Sequence, residues 1–267
     1  MLGDITIGQF FPGDTVVHRV DPRVKLVLTV LYIIAVFMVR SVVGYGLLLL
    51  CVLAIARMSK VPFKYIMKGL KPILFICIFT FTLNIFFTKG ENLIFEWKFI
   101  KIYKESLINA VYFALRLVFL VIGTSLLTLT TSPMALTDGL ERLLKPLKKI
   151  KFPVHELSMM MSIALRFIPT LLEETDKIMK AQIARGADFE SGNIFERAKA
   201  MIPLLVPLFV SAFRRADELA MAMESRCYRG DVNRTRMKTL KMEKRDYTAI
   251  ALSFVVLALV IVERSVL

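Results

Sequence analysis

Leu26–Ala56, read as LVLTVLYIIAVFMVRSVVGYGLLLLCVLAIA, decides the fold, because this whole stretch carries a single charge, Arg40. About 20 apolar residues cross a bilayer, so the stretch is too long for one span and fits two short spans turning near Arg40-Ser41. Immediately after it, Arg57, Lys60, Lys64, Lys68 and Lys71 occur with no acid between them. Basic loops stay in the cytoplasm, so Arg57–Lys71 is expected there. Before it, Met1–Asp21 holds Asp4, Pro12, Gly13 and Asp14 and lacks a basic start followed by an apolar run, so no cleavable signal peptide is expected.

Further along, Pro72–Thr88 reads as a third span and about Leu107–Thr131 as a fourth, ending before Pro133. Between them, the basic residues of Lys89–Glu105 are nearly matched by Glu91, Glu96 and Glu105, which suits the outside. Tyr247–Val262 reads as the last span. Five spans then put the N-terminus inside and the C-terminus outside. The run Arg234, Arg236, Lys238, Lys241, Lys244 and Arg245 ahead of the last span agrees with that orientation. The glycosylation pattern Asn233-Arg234-Thr235 falls in the same cytoplasmic stretch and is taken as chance.

Composition points the same way. Of 267 residues, 56% are hydrophobic, above the roughly 45–50% of a soluble domain. With 36 Lys and Arg against 22 Asp and Glu, the formal net charge is +14, which suits anionic headgroups, nucleic acid or an acidic protein partner. The three cysteines form no disulfide framework, and Cys51 and Cys77 lie inside apolar runs as small hydrophobes. The expected fold is an all-α integral membrane protein with about five transmembrane helices. Long cytoplasmic-side helices are expected between the fourth and fifth spans, giving segments 1–131, 132–246 and 247–267.

Those long helices read from about His155 to Ala184, with Pro169 as a kink, and from about Ile194 to Arg226, kinked at Pro203 and Pro207. Glu141–Asp246 carries 21 basic and 14 acidic residues, 21 − 14 = +7, in charged stretches broken by apolar patches. Met159, Met160, Met161, Met179, Met201, Met221 and Met223 crowd this region, either as core filling or as an adaptable binding surface.

The chain has no G-x-x-x-x-G-K-[ST] cradle, and no G-x-G-x-x-G follows a strand, so nucleotide hydrolysis by this chain alone is not expected. His18 and His155 are the only histidines and neither sits at ligand spacing from a cysteine, so no metal site and no cofactor are expected. Ala184-Arg185-Gly186 and Ser225-Arg226-Cys227 each put an arginine at the end of a long helix. A cation there complements the helix dipole, and that alone is a sufficient structural reason for one such residue. Two of them, 226 − 185 = 41 residues apart on consecutive helices, suggest equivalent contacts with a two-fold partner, for which the planar guanidinium is suited. Arg116 lies inside the fourth span, where a charge costs a few kcal/mol unless paired. It is either a structural tie to carbonyls or to an acid near a helix end, or a site where spans meet a partner or gate.

Over nearly its whole length the chain resembles the transmembrane T component (EcfT/CbiQ type) of energy-coupling factor (ECF) ABC transporters. The resemblance is carried by His18-Arg19-Val20-Asp21-Pro22-Arg23-Val24-Lys25, Arg116-Leu117 and Thr130-Thr131-Ser132-Pro133. Ala164-Leu165-Arg166-Phe167-Ile168-Pro169 and the two arginine motifs complete it. It implies a non-catalytic scaffold in a prokaryotic cell membrane, holding two cytoplasmic ABC ATPase subunits and one small membrane substrate-capture (S) subunit for vitamins or other micronutrients. Arg185 and Arg226 would each dock into a groove on one ATPase. Where the family often has glycine after the second arginine, this chain has Cys227, which can continue a helix. A competing reading, a membrane-anchored basic module binding anionic lipid or nucleic acid, would need cations along one exposed face. The 14 interspersed acids favour a protein partner and argue against nucleic acid. A membrane-embedded enzyme would need a polar constellation in the spans, where Arg116 and Asn84 stand nearly alone.

Overall fold

The computed structural model describes residues 10–39, 41–87, 92–97, 100–189, 193–230 and 240–266. Arg40, the 233–235 pattern and the basic residues at 234, 236 and 238 lie outside them. Nine α-helices, a two-stranded hairpin and one 3₁₀ turn are found among the described residues. They divide into two compact units, one of Gly8–Leu143 with Leu240–Leu267, the other built on Leu144–Thr239.

In the first unit, the short α1 (Val16–Arg19) precedes α2 (Pro22–Met38), which starts because the Asp21 side chain caps it and Pro22 supplies a helix-ready φ at its first position. Ser41 caps α3 (Val42–Ser59), which ends at Lys60 in the left-handed region. The turn between α2 and α3 falls where the single charge of the opening stretch suggested. The helix α4 runs Phe63–Phe87 with Pro72 inside it, so most of the expected basic loop is helix. A span tolerates an internal proline where neighbouring groups satisfy the freed carbonyl.

An antiparallel hairpin follows, β1 (Leu93–Trp97) with β2 (Ile100–Tyr103), pairing Phe95 with Ile102 and Trp97 with Ile100. It was not foreseen, and it does not alter the helical character of the chain. Next come α5 (Lys104–Thr130) and α6 (Pro133–Leu144), the latter opened by Ser132, whose hydroxyl accepts from the Ala135 N–H at 3.3 Å. The last helix, α9 (Lys244–Val266), completes the unit.

Of these helices α3, α4, α5 and α9 are long and apolar enough to cross a membrane, and α2, at 17 residues, sits at the short end of the spanning range. Their buried faces meet around Val36, Leu48, Phe119, Leu126, Leu129 and Val260. A Cβ on Gly123 would stand 2.1 Å from the Tyr32 ring, so only glycine lets α2 and α5 approach here, and the Tyr32 hydroxyl donates to the Phe119 carbonyl at 2.9 Å. Glu263, just past the expected last span, accepts from the Gly44 N–H at 2.8 Å and so ties the end of α9 to the first turn of α3.

In the second unit a 3₁₀ turn (Lys145–Ile150) leads through Lys151, at φ 59°, to α7 (Val154–Ala184) and α8 (Ile194–Ser225). Pro169, Pro203 and Pro207 lie inside these helices. The two pack together, joined by Glu174, which accepts from the Ser211 hydroxyl and from Arg215 at 3.1 Å. Hydrogen bonding by Ser211, ahead of the Arg215 charge, outweighs burial and lowers the Glu174 pKa. Core filling does not account for Met160, Met161, Met201 and Met221, which are exposed, whereas Met159, Met179 and Met223 are partly buried.

Candidate functional site: two arginine-capped helix ends and a polar knot

The helix α7 ends because Gly186 turns left-handed, at φ +87°, and Arg185 becomes the C-cap. The Gly186 N–H then donates to the Ile183 carbonyl and the Ala187 N–H to the Gln182 carbonyl, both at 2.9 Å. This is the Schellman pairing, in which two N–H groups beyond the helix satisfy carbonyls of its last turn. At the end of α8 the same two bonds recur: Cys227 N–H to Glu224 at 2.8 Å and Tyr228 N–H to Met223 at 3.0 Å. Arg226 therefore occupies the position in its cap that Arg185 occupies in its own. Cys227 does not continue the helix, contrary to expectation. At φ 56° it takes the role of Gly186, although a side chain makes that conformation costly by roughly 1–2 kcal/mol.

Ala184, Arg185 and Gly186 are exposed, as are Ser225, Arg226 and Cys227. Among the described residues no side chain neutralises either arginine. Beside Arg226 lies a cleft of about 680 Å³, lined by Met159, Phe167, Leu219 and Met223 and rimmed by Arg166, Arg226 and Arg229. Among the described residues no carboxylate lines it. Arg166 and Arg229 had no role in the sequence reading, and only the resemblance over Ala164–Pro169 pointed to the first.

A separate polar cluster gathers at the start of α2. The ammonium of Lys25, 7% exposed, donates to the carbonyls of His18 at 3.1 Å and Thr130 at 2.8 Å and to the Thr131 hydroxyl at 3.1 Å. All three of its donors are used. Asp21 pairs with Arg23 at 2.7 Å, and its backbone N–H donates to Asp246 at 2.9 Å, joining α2 to α9. Burial pushes the Asp21 pKa upward, but the hydrogen bonds and charge of Arg23, helped by Arg142, outweigh it and leave the value lowered. Arg23 and Arg142 both donate to the Leu240 carbonyl. His18 bridges Thr15 and the Phe11 carbonyl, a structural tether. The motifs quoted from His18–Lys25 and Thr130–Pro133 thus meet in one knot.

Arg116 sits on α5 with its guanidinium over the Phe113 ring at 5.4 Å and the Phe37 ring at 5.6 Å. Its Nε is buried and bonded to nothing. The expected tie to a carbonyl or an acid is not found among the described residues.

Comparison with known proteins decides the family. The profile of the family described as cobalt transport protein (CbiQ) matches residues 13–238. The energy-coupling factor transporter transmembrane protein EcfT of Clostridium kluyveri is 59% identical over 265 residues, covering 99% of this chain and 98% of that protein. The chain belongs to the EcfT family. The EcfT proteins of Bacillus subtilis and Lactococcus lactis subsp. cremoris, 52% and 46% identical, each match 97% of both chains. The chain is thus a membrane-embedded transmembrane component of an ECF transporter and works in a complex with other subunits. Among the described residues no group of His, Cys, Asp and Glu is placed to hold a metal ion.

Proposed function

We propose that the chain is the non-catalytic coupling scaffold of its transporter. Two cytoplasmic ATPase subunits dock on it, one at Arg185 and one at Arg226, and α7 and α8 pass their ATP-driven motion to a small membrane subunit that captures a vitamin or other micronutrient. The observation that carries this reading is the repetition of one cap geometry at both helix ends, each presenting an exposed arginine that no side chain among the described residues neutralises. A charge-assisted pair with an acidic groove contributes about 1.5–3 kcal/mol at each end. Ala184 and Gly186, and likewise Ser225 and Cys227, hold the guanidiniums at the cap. Segment 132–246 forms the coupling region, between four spans in 1–131 and the last in 247–267. The N-terminus lies inside and the C-terminus outside, in keeping with the basic residues from Arg57 to Lys71 and ahead of α9.

Gentle solubilisation of the tagged complex, followed by mass spectrometry of what co-purifies, tests the docking. Wild type retains two ATPase subunits, and Arg185→Glu/Arg226→Glu loses them while keeping its own helical content and thermal stability. Full ATPase retention and normal ATP-driven uptake by the double variant would sink the reading.

A further inference from the structure

Arg116 is twelve residues from Lys104 and fourteen from Thr130, in a helix of 27 residues. At 1.5 Å per residue it lies roughly 18 Å from one end of α5 and 21 Å from the other. Apolar residues face outward well beyond it toward the Lys104 end: Leu107, Ile108 and Val111 on α5 and Leu83 and Phe86 on α4 are all exposed. The hydrocarbon layer therefore continues about 13 Å past the arginine on that side, whereas an extended arginine reaches roughly 7 Å by ordinary bond lengths. Its guanidinium is also held at this level by the two rings, themselves on the exposed surface, with Phe37 at 55% and Phe113 at 46%. Ring contacts soften the cost of a buried cation but do not neutralise it or satisfy its five donors.

Nothing among the described residues completes the site. Glu105 is hydrogen-bonded to Asn92 at the end of α5, Asp246 belongs to the knot, and Glu263 is bonded to Gly44. No other acid occurs in α2, α3, α4, α5 or α9. A second copy of this chain would bring the same spans and so no free intramembrane carboxylate. We infer that the Phe37–Phe113–Arg116 patch is a docking point inside the bilayer for a membrane-spanning helix of another subunit, one that carries an aspartate or glutamate within its apolar stretch. The carboxylate accepts from Arg116, and the two rings pack beside it and keep lipid out. This inference requires only that α5 spans the membrane, and it stands or falls apart from the ATPase contacts at Arg185 and Arg226.

The test places the photoreactive analogue p-benzoylphenylalanine at position 113 of the complete transporter in native membranes and maps the cross-linked peptide. The expected partner is a span bearing Asp or Glu, and changing that residue to Asn or Gln lowers the yield roughly 30-fold, as truncating one side of a buried charge pair should. Arg116→Gln lowers it as far and Arg116→Lys less, while ATPase retention stays at the wild-type level. If Arg116→Gln does not accumulate, the partner's carboxylate variant against the unaltered chain reads the same contact. Cross-linking only to lipid, capture of a span without an acid, or unchanged yield in both variants would overturn the inference. So would a dependence on Arg116 that appears in vesicles containing phosphatidylglycerol and vanishes in phosphatidylcholine alone, which would assign the charge to a headgroup.

Discussion

The polar knot around Lys25 and the two arginine caps draw on the same residue types to opposite effect. At the knot every cation meets an acceptor: Lys25 uses all three protons, Arg23 reaches Asp21 and Leu240, and Asp246 takes up the backbone of Asp21. At the caps the backbone N–H groups of residues 185–187 and 226–228 are bonded, while among the described residues neither guanidinium is. Buried groups that find partners within the chain stabilise the fold, whereas a fixed backbone presenting an open guanidinium is prepared for something outside it. The comparison separates a region that holds the spans together from the region proposed to engage other subunits.

The largest effect is expected from breaking the knot. Lys25→Met removes three hydrogen bonds and leaves the carbonyls of His18 and Thr130 unpaired, at a cost of about 3–5 kcal/mol. Thermal unfolding in detergent should show a large loss of stability or of folded yield. Wild-type stability would mean that the knot is incidental.

A smaller effect sharpens the likeness of the two caps. Gly186→Ala puts a side chain at φ +87° and should destabilise the end of α7 by about 1 kcal/mol, whereas Cys227→Gly should stabilise the end of α8 by a similar amount. Hydrogen exchange at Ala187 and Tyr228 reads each cap directly, and shifts of the same sign would show that the two are not equivalent.

The smallest effect concerns pH. Because the folded pKa of Glu174 is lowered, its bonds to Ser211 and Arg215 favour the folded state fully above the ordinary carboxylate value of 4.5 and lose that contribution as pH falls through the lower folded value. The contact between α7 and α8 should therefore be indifferent to pH between about 7 and 5 and weaken below that range. Glu174→Gln should abolish the acid-side change.

Much of the fold was legible in the sequence because spans declare themselves by length and charge. The turn at Ser41, the α8 start at Ile194 and the ends of α7 and α8 fall where hydropathy, periodicity and glycine put them. Lys64, Lys68 and Lys71 read as a loop because an acid-free basic run marks a cytoplasmic connection, although a helix can carry such charge out of the membrane. The hairpin was missed because a two-stranded turn in a mixed-charge connection has no hydropathy signal of its own. At the candidate site the arginines stand out by repetition, but the equivalence of Gly186 and Cys227 rests on φ, which residue type does not fix. Asp21 and Asp246 come together across more than two hundred residues, a contact that only the folded chain displays.

The most direct test of the coupling claim follows the distance between the two caps in the assembled transporter. With Cys51 and Cys77 replaced, a spin label on the native Cys227 and a second on Ala187→Cys report that distance by double electron–electron resonance, with the ATPases either nucleotide-free or trapped with ATP. The account predicts a shorter distance with ATP, as the closing pair carries the two arginine-bearing ends together, and the loss of that change in Arg185→Glu/Arg226→Glu. One unaltered distance distribution in both states would contradict it.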